Sequence, residues 1–173
     1  MIATLLLCAV LHSQRITLSE PLPDVEVVDQ TGHPHRFYSD LVKGKLVVVN
    51  AVYASCTNVC PQMERAFAQL QNALGDRLGR DVYLISISRD PAHDTPERLE
   101  EYGRRFGARP GWTFVTGRPE AIDRLLRVLT GDPARTGGHS TVAWIGNDAN
   151  GTWLREYGAG EPARYIELLD AIK

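Results

Sequence analysis

The chain has 173 residues, 43% of them hydrophobic and 23% charged, with a formal net charge of −2. That is the length of one domain with a substantial core, and so balanced a charge favours neither a nucleic-acid backbone nor an anionic membrane surface as partner. Three cysteines are too few for a disulfide scaffold, which a chain of this length does not need.

The opening stretch, MIATLLLCAVLHSQ, is apolar from Met1 to Leu11, too short to cross a bilayer as a helix. No Lys or Arg precedes it and no small-x-small cleavage site follows. It reads as a partial export signal or anchor occupying residues 1–18, with the folded domain at 19–173. Val25, Val27 and Val28, the turn Asp29-Gln30-Thr31-Gly32 and the run from Arg36 to Tyr38 predict two short strands. Lys45 to Tyr53 contains LVVV, an unbroken apolar run of the kind buried on both faces of a parallel sheet. Met63, Ala66, Phe67, Leu70 and Leu74 then follow helical spacing up to Gly75.

Val82 to Ser88 is the next predicted strand. Thr95 caps a helix with Pro96 in its first turn, running to about Phe106. A strand over Trp112–Thr116, a helix over Pro119–Leu129, a strand over Thr141–Ile145 and a hairpin return over Thr152–Tyr157 follow, and Pro162–Ile172 closes the chain as an amphipathic helix. Strands alternating with helices imply an α/β domain with a central mixed β-sheet flanked by helices. The element order is thioredoxin-like.

Chemistry concentrates in NAVYASCTNVCP, residues 50 to 61. Cys56 falls in the turn after a central strand and Cys60 at the start of the next helix, the strand end at which sites of open α/β sheets collect. A helix N-terminus favours a thiolate, and a thiolate either attacks disulfides or binds soft metals. A C-x-x-C pair here is a redox motif; C-x-x-x-C is one residue longer, which lets both sulfurs turn toward one ion without forbidding a disulfide. Two thiolates do not complete a zinc site, but they suit Cu(I). A local structural bridge across so short a loop stabilises little.

Of five histidines, His12 lies in the leader, His33 and His35 flank Pro34 in a predicted surface turn, and His93 precedes a helix cap, where a hydrogen-bonding role fits. His139, in TGGHSTVAWIG, follows two glycines and enters a buried strand. The glycines allow close backbone approach, and in a thioredoxin-like sheet this loop packs beside the cysteine loop. Tyr53, Trp112 and Trp144 read as packing residues, and Glu97, Arg98, Glu100 and Glu101 as a solvated helix face.

SCTNVCP, SRDPAHDTPERLEEYGRRFG, GWTFVTG and GGHSTVAWIGNDANG together resemble the Sco/SenC family of copper-binding proteins, from about Pro23 to the C-terminus. The resemblance implies a thioredoxin-like fold binding one copper ion, Cu(I) or Cu(II), through Cys56, Cys60 and His139. It further implies copper delivery to, or thiol reduction of, the dinuclear copper centre in cytochrome c oxidase subunit II. The chain departs from the family pattern at Thr57, where proline is frequent after the first cysteine, and at Arg89, where an apolar residue is usual. Asp90 is expected to orient a ligand from behind.

Two functions therefore stand side by side. The first is a monomeric, extracytoplasmic copper chaperone serving subunit II or another copper recipient, with a membrane tether and a thiol-reductant protein as further partners. The second is a thiol-disulfide oxidoreductase or peroxiredoxin-like reductase, with Cys56 attacking and Cys60 resolving.

Overall fold

A computed structural model describes residues 13–55, 60–131 and 141–173, with Cys60 described by its backbone alone. Among these residues, eight strands form one sheet: β1 (Ser13–Ile16), β2 (Glu26–Asp29), β3 (Pro34–Arg36), β4 (Leu46–Val52), β5 (Val82–Ser88), β6 (Trp112–Thr116), β7 (Val142–Asn147) and β8 (Thr152–Tyr157). Their spatial order is β1-β8-β7-β4-β5-β6-β2-β3. β4, β5 and β6 run parallel. β7 returns antiparallel on the other side of β4, and β8 and β1 follow it as antiparallel neighbours.

Among the described residues, four α-helices cover this sheet: α1 (Cys60–Leu74), α2 (Pro96–Arg105), α3 (Pro119–Thr130) and α4 (Pro162–Ala171). Alternation along β4 assigns the faces. Leu46, Val48 and Val52 enter a core with Met63, Phe67 and Leu70 of α1, Leu99 of α2 and Leu168 of α4. Val47 and Val49 enter the opposite core with Ile122, Leu125 and Leu129 of α3. A strand buried on both faces must read as a continuous apolar run, which is why LVVV shows no alternation. α2 starts as its sequence predicts: the Thr95 side chain accepts from the Arg98 N–H, and Pro96 occupies the first turn.

Two local features differ from the sequence pattern. The predicted strand over Arg36–Tyr38 ends at Arg36, and Phe37–Val42 turns into a wide π-helical turn that buries Phe37 and Val42. Its start is held by the Arg36 N–H donating to Asp40 Oδ2 at 2.6 Å. The sheet also takes in Ser13–Ile16, which pairs with Trp153–Glu156, so residues of the 1–18 segment contribute an edge strand to it. SQRI carries little apolar alternation, and its pairing comes from the free edge of β8.

Gly146 of β7 stands opposite Trp153 of β8. A Cβ on it would lie 2.6 Å from the Trp153 ring, itself buried against the strand. Gly146→Ala is expected to cost about 1–3 kcal/mol through this overpacking. Urea unfolding of the variant against the parent measures it, and an unchanged midpoint would mean that the indole has another place to go.

Candidate functional site

The register of the sheet brings three chain segments to one edge. β4 ends at Val52 and is followed by the cysteine loop; in parallel pairing Val52 stands opposite Ser88, where β5 ends. On the other side Asn50 stands opposite Ala143, the second residue of β7. The segment that enters β7 thus reaches the sheet beside the segment that leaves β4. The turn after β8 closes on the same edge, with the Gly158 N–H donating to the Thr141 carbonyl at 2.7 Å.

Cys56 and His139 lie in 56–59 and 132–140, outside the described residues. Of the candidate ligands only Cys60 has a described backbone: it is the first residue of α1, a helix of 15 residues. A cysteine at that position sits in the partial positive charge of the helix N-terminus, which lowers a thiol pKa. Among the described residues no group of three or more His, Cys, Asp or Glu side chains is arranged to hold a metal.

The start of the cysteine loop is tied to the loop after β5. The Arg89 N–H donates to the Val52 carbonyl at 2.8 Å. Asp94, fully buried, accepts from Ser88 Oγ at 2.7 Å and from the Ala54 N–H at 3.3 Å through Oδ2. Its Oδ1 is buried with no hydrogen-bond partner among the described residues. Asp90, expected to orient a ligand, instead holds His93, its Oδ1 lying 2.8 Å from His93 Nδ1 on the outer side of the loop. Among the described residues, Asp94 is therefore the carboxylate of the DPAHDTP stretch that touches the start of the cysteine loop.

His35 is not simply solvated. Its Nε2 lies 2.8 Å from Asp29 Oδ2, and Asp29 also accepts from the Thr31 hydroxyl and the Thr31 and His33 amides. Burial acts to raise the Asp29 carboxyl, but these bonds outweigh it and leave the pKa at about 2. The role of this turn is to tie β2 to β3, on the far edge of the sheet from β7.

Behind the site lies a buried polar cluster. Glu64, one helical turn after Cys60, is fully buried. Its Oε1 accepts from Asn50 Nδ2 at 2.7 Å and its Oε2 from the Tyr102 hydroxyl at 3.1 Å. Burial pushes the carboxyl up to about 7, against the pull of Asn50, Tyr102 and the helix backbone. Beside Asn50 on β5, Ser86 accepts from Trp112 Nε1 at 3.0 Å. This cluster was within reach of the sequence: Glu64 interrupts the apolar stripe formed by Met63, Phe67 and Leu70, and Asn50 interrupts the apolar run of β4.

Comparison with known proteins identifies the framework. The sequence profile of the SCO1/SenC family matches residues 20–135. The chain belongs to the SCO1/SenC family. A putative copper-binding protein of Stutzerimonas stutzeri is 32% identical over 112 residues, covering 62% of this chain and 51% of that protein. A SCO2-like protein of Rickettsia conorii is 29% identical over 157 residues, 84% of this chain and 74% of that protein. The chain thus spans between about half and three quarters of the length of these relatives. Among solved structures, a SCO1/SenC family lipoprotein from Bacillus anthracis superposes with a TM-score of 0.72 over 91% of this chain and 95% of that one, at 24% identity. Bradyrhizobium japonicum ScoI with copper bound does so with a TM-score of 0.66 over 86% and 96%, also at 24% identity. The fold is accordingly the thioredoxin-like fold of SCO1/SenC proteins.

The burial of Glu64 makes stability depend on pH. A folded-state pKa of about 7 against an ordinary value of 4.5 means that the folded protein holds the proton which the unfolded chain has lost between those limits. The contribution is fully present below pH 4.5 and is lost as pH rises through 7, a fall of roughly 3 kcal/mol. Asp29 titrates far below this window and does not mask it. Urea unfolding at pH 5 and pH 8 is expected to show this fall in the parent and a smaller one in Glu64→Gln; equal falls in both would mean that Glu64 is ionised throughout.

Proposed function

We propose that this SCO1/SenC protein is a copper chaperone that holds one ion between the Cys56 and Cys60 thiolates and the His139 imidazole. The observation that carries the proposal is the register at the end of β4: Asn50 opposite Ala143, and Val52 opposite Ser88. This register supports the reading, because the chain leaves β4 and enters β7 at the same end of the sheet. Two thiolates and one imidazole form a donor set that suits Cu(I) through sulfur and accommodates Cu(II) through nitrogen. Similarity to a protein described as copper-binding supports the cargo, as does the shared fold with a copper-bound ScoI.

The ion is cargo, so the site must release as well as hold it. The base of the cysteine loop is anchored by Asp94 and by the Arg89–Val52 bond, and a recipient must be able to reach the ligands it carries. The recipient of this reading is cytochrome c oxidase subunit II, or another protein with a copper site, outside the cytoplasm. The lipoprotein character of the Bacillus anthracis relative supports that compartment. Among the described residues, no helix is long and apolar enough to cross a membrane.

The second reading, a thiol-disulfide oxidoreductase, draws on Cys60 opening α1, since a helix N-terminus lowers a thiol pKa and raises the thiolate fraction. One set of variants separates the two. Copper titration of the reduced protein is expected to give one equivalent per chain, lost in Cys56→Ser and in Cys60→Ser and weakened at least about tenfold in His139→Ala. Unchanged affinity in all three would overturn the copper site. Disulfide turnover lost in Cys56→Ser but kept in His139→Ala would make the pair an enzyme's.

A further inference from the structure

The copper reading makes no use of the two histidines on the far edge of the sheet. His33 and His35 flank Pro34 at the start of β3, the last strand in the spatial order and four strands from β4. At about 4.8 Å per strand that is a separation of roughly 19 Å. Residues two apart on an extended chain point to the same face. The two imidazoles do stand together, their ring centroids 6.2 Å apart and their planes tilted by 39°. His33 is exposed and His35 half-buried.

The backbone that carries the rings is braced. The Asp29 N–H donates to the His33 carbonyl at 2.9 Å, and the His33 N–H donates to Asp29 Oδ1 at 3.0 Å. Gly32 takes the left-handed φ of +83° that the turn requires, and Pro34 fixes the chain between the two histidines. β3 pairs with β2 on either side of His35, Pro34 with Val28 and Arg36 with Glu26.

The partners of Asp29 decide which ring nitrogen of His35 is open. The carboxylate accepts through Oδ1 from Thr31 and His33, and its Oδ2 lies 2.8 Å from His35 Nε2. A carboxylate has no proton to give, so Nε2 is the donor, and the lone pair of the neutral ring lies on Nδ1. Metal-binding histidines are held in this way, with one nitrogen fixed by a carboxylate and the other turned to the ion. Among the described residues, the bond to Asp29 is the only hydrogen bond or ion pair at either ring.

With a metal–nitrogen distance of about 2.0 Å, an ion lies roughly 3.2 Å from each ring centroid, so two imidazoles share it up to a centroid separation of roughly 6.4 Å. The 6.2 Å between His33 and His35 falls inside this limit, near its wide end. A wide angle between two nitrogens suits the tetragonal geometry of Cu(II) better than the tetrahedron of zinc, and Cu(II) leads the divalent first-row metals in affinity for such donors.

We propose that His33 and His35 form a second metal site, holding one Cu(II) ion through His35 Nδ1 and a ring nitrogen of His33, with water in the remaining positions. Asp29 is a positioning residue: it is spent on His35 Nε2 and orients that ring without touching the ion. The protein supplies two donors only, so the ion is open to solvent and exchangeable. No thiolate takes part, and the inference stands apart from the copper chaperone reading.

The test is titration with Cu(II) of the full chain carrying Cys8→Ser, Cys56→Ser and Cys60→Ser together, so that no thiol binds or reduces the ion. Pulsed EPR counts the imidazoles bound to it. One equivalent with two imidazoles is expected. His33→Ala in this background is expected to leave one imidazole and to weaken binding at least about tenfold. Asp29→Asn is expected to weaken binding about tenfold with both imidazoles kept, since it acts through the orientation of His35. His93→Ala is expected to change nothing. If Asp29→Asn fails to fold, His33→Ala decides, because His33 gives the turn only its backbone. A two-imidazole spectrum and an affinity unchanged by His33→Ala, or no Cu(II) bound by the folded thiol-free chain, would overturn the proposal.

Discussion

Everything in this domain hangs on the pairing of β4 with both its neighbours. Seven residues pair in parallel with β5 along their whole length, and five of them pair antiparallel with β7. A one-residue slip in either ladder would turn the apolar faces over, and it would also part the chain ends that meet at the site. The strand tolerates no slip because both its faces are packed: Val47 and Val49 are locked against α3, and Val48 and Val52 against α1 and its neighbours. The register that builds the core is therefore the register that places the cysteine loop beside the entry to β7, and selection for one is selection for the other.

The same strand carries the one polar side chain that this packing would be expected to exclude. Asn50 lies on the α1 face between Val48 and Val52, and its amide is spent on Glu64. Glu64 in turn takes the hydroxyl of Tyr102, so β4, α1 and α2 are joined through one carboxyl at the end of the sheet where the site lies. Further down the same face the contacts are apolar, with Phe67 against Trp112 and Tyr165. A domain built for stability alone would continue that apolar packing to the top. Asn50, Glu64 and Tyr102 instead form a polar layer at the end of the sheet where β4 leads into the cysteine loop.

Much of this was legible in the sequence because the signals were local. LVVV, VYLISIS, the Thr95-Pro96 start of α2 and the Gly146–Trp153 hairpin each carry their structure in a few neighbouring residues, and the elements lie where those residues indicate. The family was legible in the joint presence of SCTNVCP and DPAHDTPE. What escaped is set by contacts that strand and helix patterning does not display. Ser13–Ile16 has no strand pattern of its own and is ordered by β8, far along the chain. Phe37 and Tyr38 are good strand residues, yet Asp40 reaches back to the Arg36 amide and turns the chain into a helix.

The choice between the two acids of DPAHDTP shows why a motif alone does not assign roles. Asp90 and Asp94 are four residues apart, and either is a plausible support for a metal ligand by type. Asp90 N–H donates to Ser88 Oγ and its carboxylate faces outward to His93, so it shapes the loop from the solvent side. Asp94 has its back to the end of β5 and its side chain under the cysteine loop, where it receives Ser88 Oγ and the Ala54 amide. A buried carboxylate holding the Ala54 amide fixes where the chain leaves β4 for the cysteine loop. The difference is one of position: Asp94, directly before the Thr95 cap, is fully buried, whereas Asp90 is only partly buried.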